Sequence, residues 1–348
     1  MKCFLICGGA GFIGAHFVRS LLNDNHKVIN LDLLTYAASL QILHEFKKYK
    51  NYRFIKCDIR DKKKIKNIFK NFKIDAVINF AAQTHVDRSI DNPDEFITTN
   101  ILGVFNLVNN SLNYWNSIKK NKQFKFIQVS TDEVYGSVSK GSSKEFSCLS
   151  PNSPYSASKT SADHLILSYF KTFNFPYIIL RPSNNYGPYQ FPEKLIPLII
   201  LNAIEGKQLP IYGNGKNVRN WLYIEDNVDA IKKILFKGKI GNVYNIGGKE
   251  EITNIKLVKN ICKKLDRIKP KKNKRKYETL ITYVDDRPGH DQRYSLNSSK
   301  IKKEINWVPK TNLDRGLELT IKWYLENENW WKTIRKFKYK GERLGKKR

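Results

Sequence analysis

Between Ser130 and Lys159 the chain gathers the side chains from which proton-transfer chemistry is built. Ser130-Thr131-Asp132-Glu133-Val134-Tyr135-Gly136 sets two adjacent carboxylates behind a hydroxyl residue, and Tyr155-Ser156-Ala157-Ser158-Lys159 places a tyrosine four positions before a lysine. Four positions make about one helical turn, so on a helix the phenol and the ammonium share a face. A phenol titrating near pH ~10 is a poor base at neutrality, and a neighbouring cation favours its ionised form. Lys159 is therefore expected to lower the pKa of Tyr155 and to bind a ribose. Asp132 and Glu133, read as extended, point to opposite sides of the chain and can address different atoms. Each feature also has an ordinary structural use, as an exposed helical lysine or an acidic helix cap. Together they need a hydride acceptor and a substrate pocket.

The elements that could supply both begin at the first residues. Cys3-Phe4-Leu5-Ile6-Cys7 is an apolar run of strand length, and Gly8-Gly9-Ala10-Gly11-Phe12-Ile13-Gly14 leads into a helical pattern reaching about Leu22. Strand, glycine turn and helix in that order let a pyrophosphate approach the backbone at a helix N-terminus. A second strand over residues 27–31 ends in Asp32, the place for an acid that binds an adenosine ribose. A carboxylate there repels a 2′-phosphate, which favours NAD over NADP. Further strands are expected over 53–56, 76–80, 124–129 and 177–180, with a helix over 62–72. Asp58-Ile59 either meets the adenine or caps that helix. The alternation predicts an α/β fold of Rossmann type, a doubly wound parallel sheet covered on both faces. Ala81, Ala82, Gln83, Thr84 and His85, like Thr131, Asp132 and Glu133, follow strands, where such sheets bind ligands. From about Phe191 the elements shorten, with turns at Tyr212-Gly213-Asn214-Gly215, Gly247-Gly248 and Arg287-Pro288-Gly289-His290. The expected organisation is an NAD-binding domain over 1–190, a smaller α/β substrate lobe over 191–330 and a basic tail over 331–348. A helix is expected over 313–325, and the tail is read as peripheral or disordered.

The net charge is +30, from 62 Lys+Arg against 32 Asp+Glu. Most lysines fall in segments that read as amphipathic helices, such as Lys62-Lys63-Lys64, so the charge reads as a solvated surface rather than a nucleic-acid site. Such a field still favours a phosphate-bearing substrate. The five cysteines, Cys3, Cys7, Cys57, Cys148 and Cys262, are scattered and lack metal-ligand spacing, which predicts no disulfide and no metal. No run approaches the ~20 apolar residues of a membrane span. A soluble, cytoplasmic protein is the expectation.

From the glycine turn to about Leu325 the chain resembles the extended short-chain dehydrogenase/reductase family, the NAD-dependent nucleotide-sugar epimerases and dehydratases. The likeness rests on residues 8–14, Asp32-Leu33-Leu34-Thr35-Tyr36, His85-Val86-Asp87-Arg88-Ser89, Ser130 to Gly136, Tyr155 with Lys159, the stretch 183–197, and Asp286-Arg287-Pro288-Gly289-His290-Asp291. It implies oxidation of a hexose at C4, loss of water across C5 and C6, and return of the hydride to C6. Tyr155 would be the base at O4, assisted by Thr131 and Lys159, with Glu133 the base at C5 and Asp132 the acid at C6. The tandem acids set dehydration apart from epimerisation, because epimerases generally lack both and GDP-mannose dehydratases tend to keep only the glutamate. By the same resemblance Gly8, Gly11, Phe12, Ile13, Gly14, Asp32, Leu33, Leu34, Thr35, Asp58, Ile59, Ala81, Ala82, Gln83, Thr84, His85, Thr99, Tyr155, Lys159 and Asn185 face NAD. Thr84, Thr131, Asn184, Lys194, Leu195, Ile196, Pro197, Leu198, Ile199, Pro210, Ile211, Tyr212, Arg219, Asn254, Asp286, Arg287, Pro288, Gly289 and His290 line a nucleotide-sugar pocket. The implied substrate is dTDP-glucose, with UDP-glucose as the rival because Gln83-Thr84 stands where Glu-Ser is common. Asn220 and Asn227 replace an aspartate and a histidine common in relatives. A homodimer through the helices near residues 100–114 and 153–169 is also implied.

Overall fold

The computed structural model describes residues 1–342 and Leu344. Strand and helix alternate as β1 (Cys3–Cys7), α1 (Phe12–Asn23), β2 (Lys27–Asp32), α2 (Leu40–Phe46), β3 (Tyr52–Lys56), α3 (Lys62–Asn71), β4 (Ala76–Asn79) and α4 (Val86–Asp91). A short α5 (Asp94–Phe96) and a π-helical stretch (Ile97–Gly103) run into α6 (Val104–Ser117), followed by β5 (Lys125–Val129), a 3-10 turn (Asp132–Tyr135), α7 (Pro154–Phe173) and β6 (Tyr177–Pro182). β1, β2, β4, β5 and β6 are almost wholly buried, as a covered parallel sheet requires, with Phe4 to Cys7 all buried, whereas the edge strand β3 is partly exposed. In α3 the residues Ile65, Ile68 and Phe69 face the core, while Lys62, Lys63, Lys64, Lys66 and Lys70 are exposed. The lysines there decorate a solvated face.

The second part contains β7 (Asn184–Tyr186), α8 (Leu195–Ile204), β8 (Leu209–Tyr212), β9 (Val218–Tyr223), α9 (Ile224–Lys237), β10 (Asn242–Ile246), β11 (Glu251–Thr253) and α10 (Asn254–Ile268). It ends with β12 (Ile281–Val284), α11 (Ser299–Ile305), α12 (Leu313–Glu326) and α13 (Glu328–Phe337). The large sheet has the order β10-β6-β5-β4-β1-β2-β3, and the smaller ones are β11-β9-β7 and β12-β8. All seven strands of the large sheet are parallel. Strand order reverses beside β1, where Cys7 pairs with Leu31 on one side and Asn79 on the other. Gly8, Asp32 and the segment after Asn79 therefore leave the sheet around one crevice, where open α/β sheets bind ligands.

Two expectations need correction. Residues 191–330 are not one separate lobe, because β10 pairs with β6 from Asn242↔Ile178 to Ile246↔Pro182 and α9 packs on α1. The chain returns to the large sheet after starting the small lobe. Nor is the tail peripheral over its described residues: α13 buries Trp330, Trp331, Ile334 and Arg335, and Tyr339 beyond it is only 3% exposed, while residues 343 and 345–348 lie outside the described residues. An apolar stripe lies beneath the lysines and is covered by the rest of the molecule. Among the described residues no helix is long and apolar enough to cross a membrane, and no group of three His, Cys, Asp or Glu could hold a metal ion.

Candidate active site

The glycine turn sits where backbone meets backbone. Gly8 has φ +81°, and a Cβ there would lie 2.5 Å from the Ala81 nitrogen; one on Gly14 would lie 2.2 Å from the Gly8 oxygen. Both approaches require glycine, and they seat α1 against the ends of β1 and β4. Gly11 caps α1 without a side-chain hydrogen bond, and the first turn carries no acid. The N-terminal N–H groups are thus left for an anion. Asp32 is fixed at the end of β2 by Ala10 N–H (2.9 Å) and Leu34 N–H (2.7 Å). Burial raises its pKa, and these two donors oppose the shift.

A cavity of about 430 Å³ runs from this turn to the catalytic helix. Its walls hold Gly8, Gly11, Phe12, Ile13, Gly14, Asp32, Leu33, Thr35, Asp58, Ile59, Ala81, Ala82, Gln83, Thr84, Thr99, Asn185, Tyr155 and Lys159, together with Thr131, Asp132 and Glu133. Acid, glycine turn and proton-transfer groups follow in the order a dinucleotide demands, so the residues present fit NAD. Leu34 and His85 do not line it. Leu34 has φ +63° and packs its side chain against the core, contributing its N–H to Asp32. His85 caps α4 and faces the neighbouring cavity. Asp58 does not cap α3 either; Asp61 does, and Asp58 holds Arg60 instead.

The acids are not extended as the sequence suggested. Thr131 caps the 3-10 turn, accepting the Glu133 N–H at 3.3 Å, and Gly136 at φ +70° ends it. Successive side chains on such a turn diverge by about a third of a revolution. Asp132 is buried with Oδ2 lacking a hydrogen-bond partner, whereas Glu133 reaches the seam between two cavities. Burial and the adjacent Glu133 push the Asp132 pKa up to about 8. Burial also raises that of Glu133, opposed by Arg287, Arg219 and Lys194. Near neutrality Asp132 is therefore an acid with a proton to give.

Tyr155 and Lys159 lie one turn apart on α7, which opens on a Ser153–Ser156 capping box with Pro154 in its first turn. Lys159 Nζ donates to the Val129 carbonyl at 2.8 Å, and burial lowers its pKa to about 8. The expected lowering of the phenol is absent: burial, then Glu133 and Asp132, raise the Tyr155 pKa, while a hydrogen bond to Thr131 opposes them. Burial and the nearby acids favour the protonated phenol.

The second cavity, about 230 Å³, shares Thr84, Glu133, Asn184, Asn185, Gln190, Glu193 and Lys194 with the first. The two spaces meet at Glu133. Lys194 precedes α8, and Leu195 and Leu198 point inward three residues apart. Pro210, Ile211 and Tyr212 come from β8, Arg219 from β9, Asn254 from the start of α10, and Arg287 and His290 from the loop after β12. Ile196, Pro197 and Ile199 are on the other side of α8, buried in the core. Asp286, Pro288 and Gly289 shape the loop without lining the cavity: Asp286 pairs with His290 Nδ1 at 2.6 Å, and Gly289, at φ +63°, turns against Asn152. Thr131 stands on the cofactor side, as does Gln83, whose backbone is held by Asn100. Of the Gln83-Thr84 departure, Gln83 thus stays outside the second cavity, whereas Thr84 lines both cavities. Asn220 donates to Gly248 O and Glu250 O and accepts from Gly248 N–H, a pattern a carboxylate could not complete. Asn227 is fully buried with neither amide atom partnered, and nothing in the structure explains it.

Several contributors escaped the sequence reading. Asp87 of α4 accepts from Tyr212 Oη at 2.8 Å and Arg287 Nη1 at 3.1 Å, fixing two walls of the second cavity from the opposite lobe. Tyr294 donates to Asp291 at 2.6 Å and lies 3.4 Å from Glu133 Oε2, with the Arg219 guanidinium 4.2 Å from its ring centroid. Glu193 accepts from Tyr36 and from Arg88. The available signal was membership of Tyr36, Asp87, Arg88, Glu193 and Asp291 in the motif runs. Polar atoms buried without partners collect in these walls, namely Asp132 Oδ2, Asn184 Oδ1, Asn185 Oδ1, Asn254 Oδ1 and Arg287 Nε. Such atoms are satisfied when a polar ligand enters.

A parallel sheet with a dinucleotide crevice, joined at a carboxylate to a second cavity that carries Lys194, Arg219 and Arg287 among its walls, defines an NAD-dependent enzyme acting on nucleotide sugars. The family model described as GDP-mannose 4,6 dehydratase matches residues 5–320, and the chain belongs to that family. Its similarity is to the dTDP-glucose enzymes within it: dTDP-glucose 4,6-dehydratase of Escherichia coli is 47% identical over 356 residues, covering 98% of each chain. DesIV, the dTDP-glucose 4,6-dehydratase of Streptomyces venezuelae crystallised with NAD and thymidine diphosphate, superposes with a TM-score of 0.88 at 40% identity, over 96% of this chain and 100% of that one. The Bacillus anthracis dTDP-glucose 4,6-dehydratase in complex with NAD gives 0.84 at 43% identity, over 96% and 100%.

Proposed function

We propose that this chain converts dTDP-D-glucose to dTDP-4-dehydro-6-deoxy-D-glucose and water, using NAD that stays bound, in deoxysugar nucleotide synthesis. The observation that carries the reading is the tandem of Asp132, buried with Oδ2 unpartnered, and Glu133, set where the cofactor and nucleotide-sugar cavities meet; burial and the adjacent Glu133 raise the Asp132 pKa. When bound, NAD takes a hydride from C4 of the sugar and gives it back at C6. Tyr155 accepts the O4 proton as the phenolate, the form that the positive charge of bound NAD⁺ and the ammonium of Lys159 one turn along α7 would favour, with Thr131 as its hydrogen-bonding neighbour. The ketone at C4 acidifies C5, and Glu133 removes that proton. Asp132 protonates the departing C6 hydroxyl, which leaves as water. Glu133 later returns a proton to C5, and the proton gained at Tyr155 balances the one lost from Asp132. Arg219 and Arg287 neutralise the diphosphate.

The protein also forms a homodimer through α6 and α7 in this reading. Ile97, Leu102 and Phe105, exposed on the helix that includes α6, supply an apolar face for it. Light scattering on the purified protein decides between one chain and two. Its cysteines are all free, which suits a reducing cytoplasm.

The reaction is tested by offering dTDP-glucose, UDP-glucose and GDP-mannose separately and identifying products by mass and NMR. A 4-keto-6-deoxy product from dTDP-glucose is expected. Preference for UDP-glucose would reassign the base, and no turnover of any of the three would overturn the reading.

A further inference from the structure

The C-terminal segment has no part in the mechanism, yet Tyr339, Gly341, Glu342 and Leu344 line the second cavity. Their position is built from specific contacts. Trp330 Nε1 of α13 donates to Ser39 Oγ at 3.2 Å, and Lys338 Nζ donates to the Ala38 carbonyl at 3.0 Å. Ala38 lies in the loop after β2 and lines the cofactor cavity. From the same stretch Arg335 reaches the other way, donating to Asn202 Oδ1 at 2.8 Å and pairing with Glu205 at the end of α8. The segment thus spans the cofactor loop and the helix that carries Lys194, Leu195 and Leu198.

Beyond α13 the chain turns back over Arg335. Gly341 allows it, with φ +91° and a Cβ position 3.4 Å from Arg335 Nη1. The Tyr339 hydroxyl donates to the Glu342 carbonyl at 2.8 Å, its ring lies 6.3 Å from that of Phe191, and the Glu342 carboxylate accepts from Lys340 N–H at 2.9 Å. A buried tyrosine therefore shapes the hook from inside. A surface tail has no need of these bonds, whereas a cavity wall must hold its form when a ligand presses on it.

We propose that this hook, from Lys338 to Glu342 with Leu344, is a working wall of the nucleotide-sugar site. Tyr339 is its positioning residue, and Leu344 adds to the apolar surface of Leu195 and Leu198 opposite the cationic side formed by Arg219 and Arg287. The proposal rests on reading that cavity as the nucleotide-sugar site.

Two variants test it. Tyr339→Phe keeps the ring and removes the bond to Glu342; Leu344→Ser changes only the lining. Affinities for dTDP, UDP, GDP and NAD are measured by calorimetry, alongside KM and kcat for the sugar nucleotide turned over. Both variants are expected to weaken nucleoside diphosphate binding and raise KM about three- to tenfold, with kcat and NAD affinity within about twofold of the parent. Unchanged diphosphate affinity and KM in both variants overturn the proposal, as does an equal fall in NAD affinity and kcat, which marks a merely structural role. A parent that binds a diphosphate but turns over no sugar nucleotide fails the reaction alone; the variants' binding then still decides the hook. A parent that binds none of the three overturns both.

Discussion

The two cavities that meet at Glu133 are held together by different forces. The cofactor cavity lies at the ends of neighbouring parallel strands, and its polar groups, the N–H groups of the glycine turn, Asp32, Asp58, Asp132, Glu133, Tyr155 and Lys159, sit at or just past those strand ends or on α7. The sheet's ladder holds those groups in place. In the nucleotide-sugar cavity Arg219, Arg287 and Lys194 face Asp87 and Glu193, drawn from elements far apart in sequence. Asp87 joins α4 to Tyr212 and Arg287 across the lobes. A ladder formed before any ligand arrives gives a rigid cradle; charge pairs across a seam give a pocket whose affinity depends on each partner.

This contrast sets what each substitution should damage. Lys159→Met strikes the groups that carry out oxidation and should lower single-turnover C4 oxidation about 10²–10⁴-fold with little change in dTDP affinity, read by rapid-quench kinetics. Asp32→Ala removes the acceptor of two N–H groups and should weaken NAD binding about tenfold or more, measured by calorimetry, with KM for the sugar nucleotide spared. A matching rise in KM would show that the cofactor cradle and the substrate pocket are not separately built. Asp87→Asn makes the converse test. Losing charge-assisted bonds worth about 1.5–3 kcal/mol, it should raise KM about tenfold or more while kcat and NAD affinity hold, and an equal loss of NAD affinity would break the comparison.

A separate prediction concerns stability. The Asp132 pKa is raised to about 8 in the folded chain from an ordinary value near ~3.9. Its stabilising contribution is therefore fully present below about pH 4 and is lost as pH rises through about 8. Asparagine resembles the protonated acid. Asp132→Asn should match the parent's melting temperature in acid and exceed it above pH ~8. Parallel curves across that range would mean that Asp132 is not held protonated.

The same contrast explains what the sequence could disclose. The glycine turn, Asp32 and the strand-helix alternation are local, with periods and spacings that follow from backbone geometry, and the structure has them within a residue or two. In the second cavity residues 194–199 were assigned to the wall as a run, which could not say that Leu195 and Leu198 face inward while Ile196 and Ile199 face the core. The return of β10 to the large sheet is a non-local pairing that a short strand does not advertise. The 3-10 turn at Asp132 was missed because two acids after a hydroxyl read as easily as a strand end as a capped turn. Tyr155 was judged by its lysine alone, while burial and the paired acids, which exist only in the fold, raise its pKa.

The central claim is the division of labour between Tyr155 with Lys159 and Asp132 with Glu133. It is tested most directly by mixing Asp132→Asn enzyme, loaded with NAD⁺, with dTDP-glucose and following NADH absorbance through one turnover. Oxidation should proceed at close to the parent rate and NADH should accumulate, because the C6 hydroxyl has lost its acid. If oxidation slows together with elimination and no NADH builds up, the two halves are not carried by separate residues.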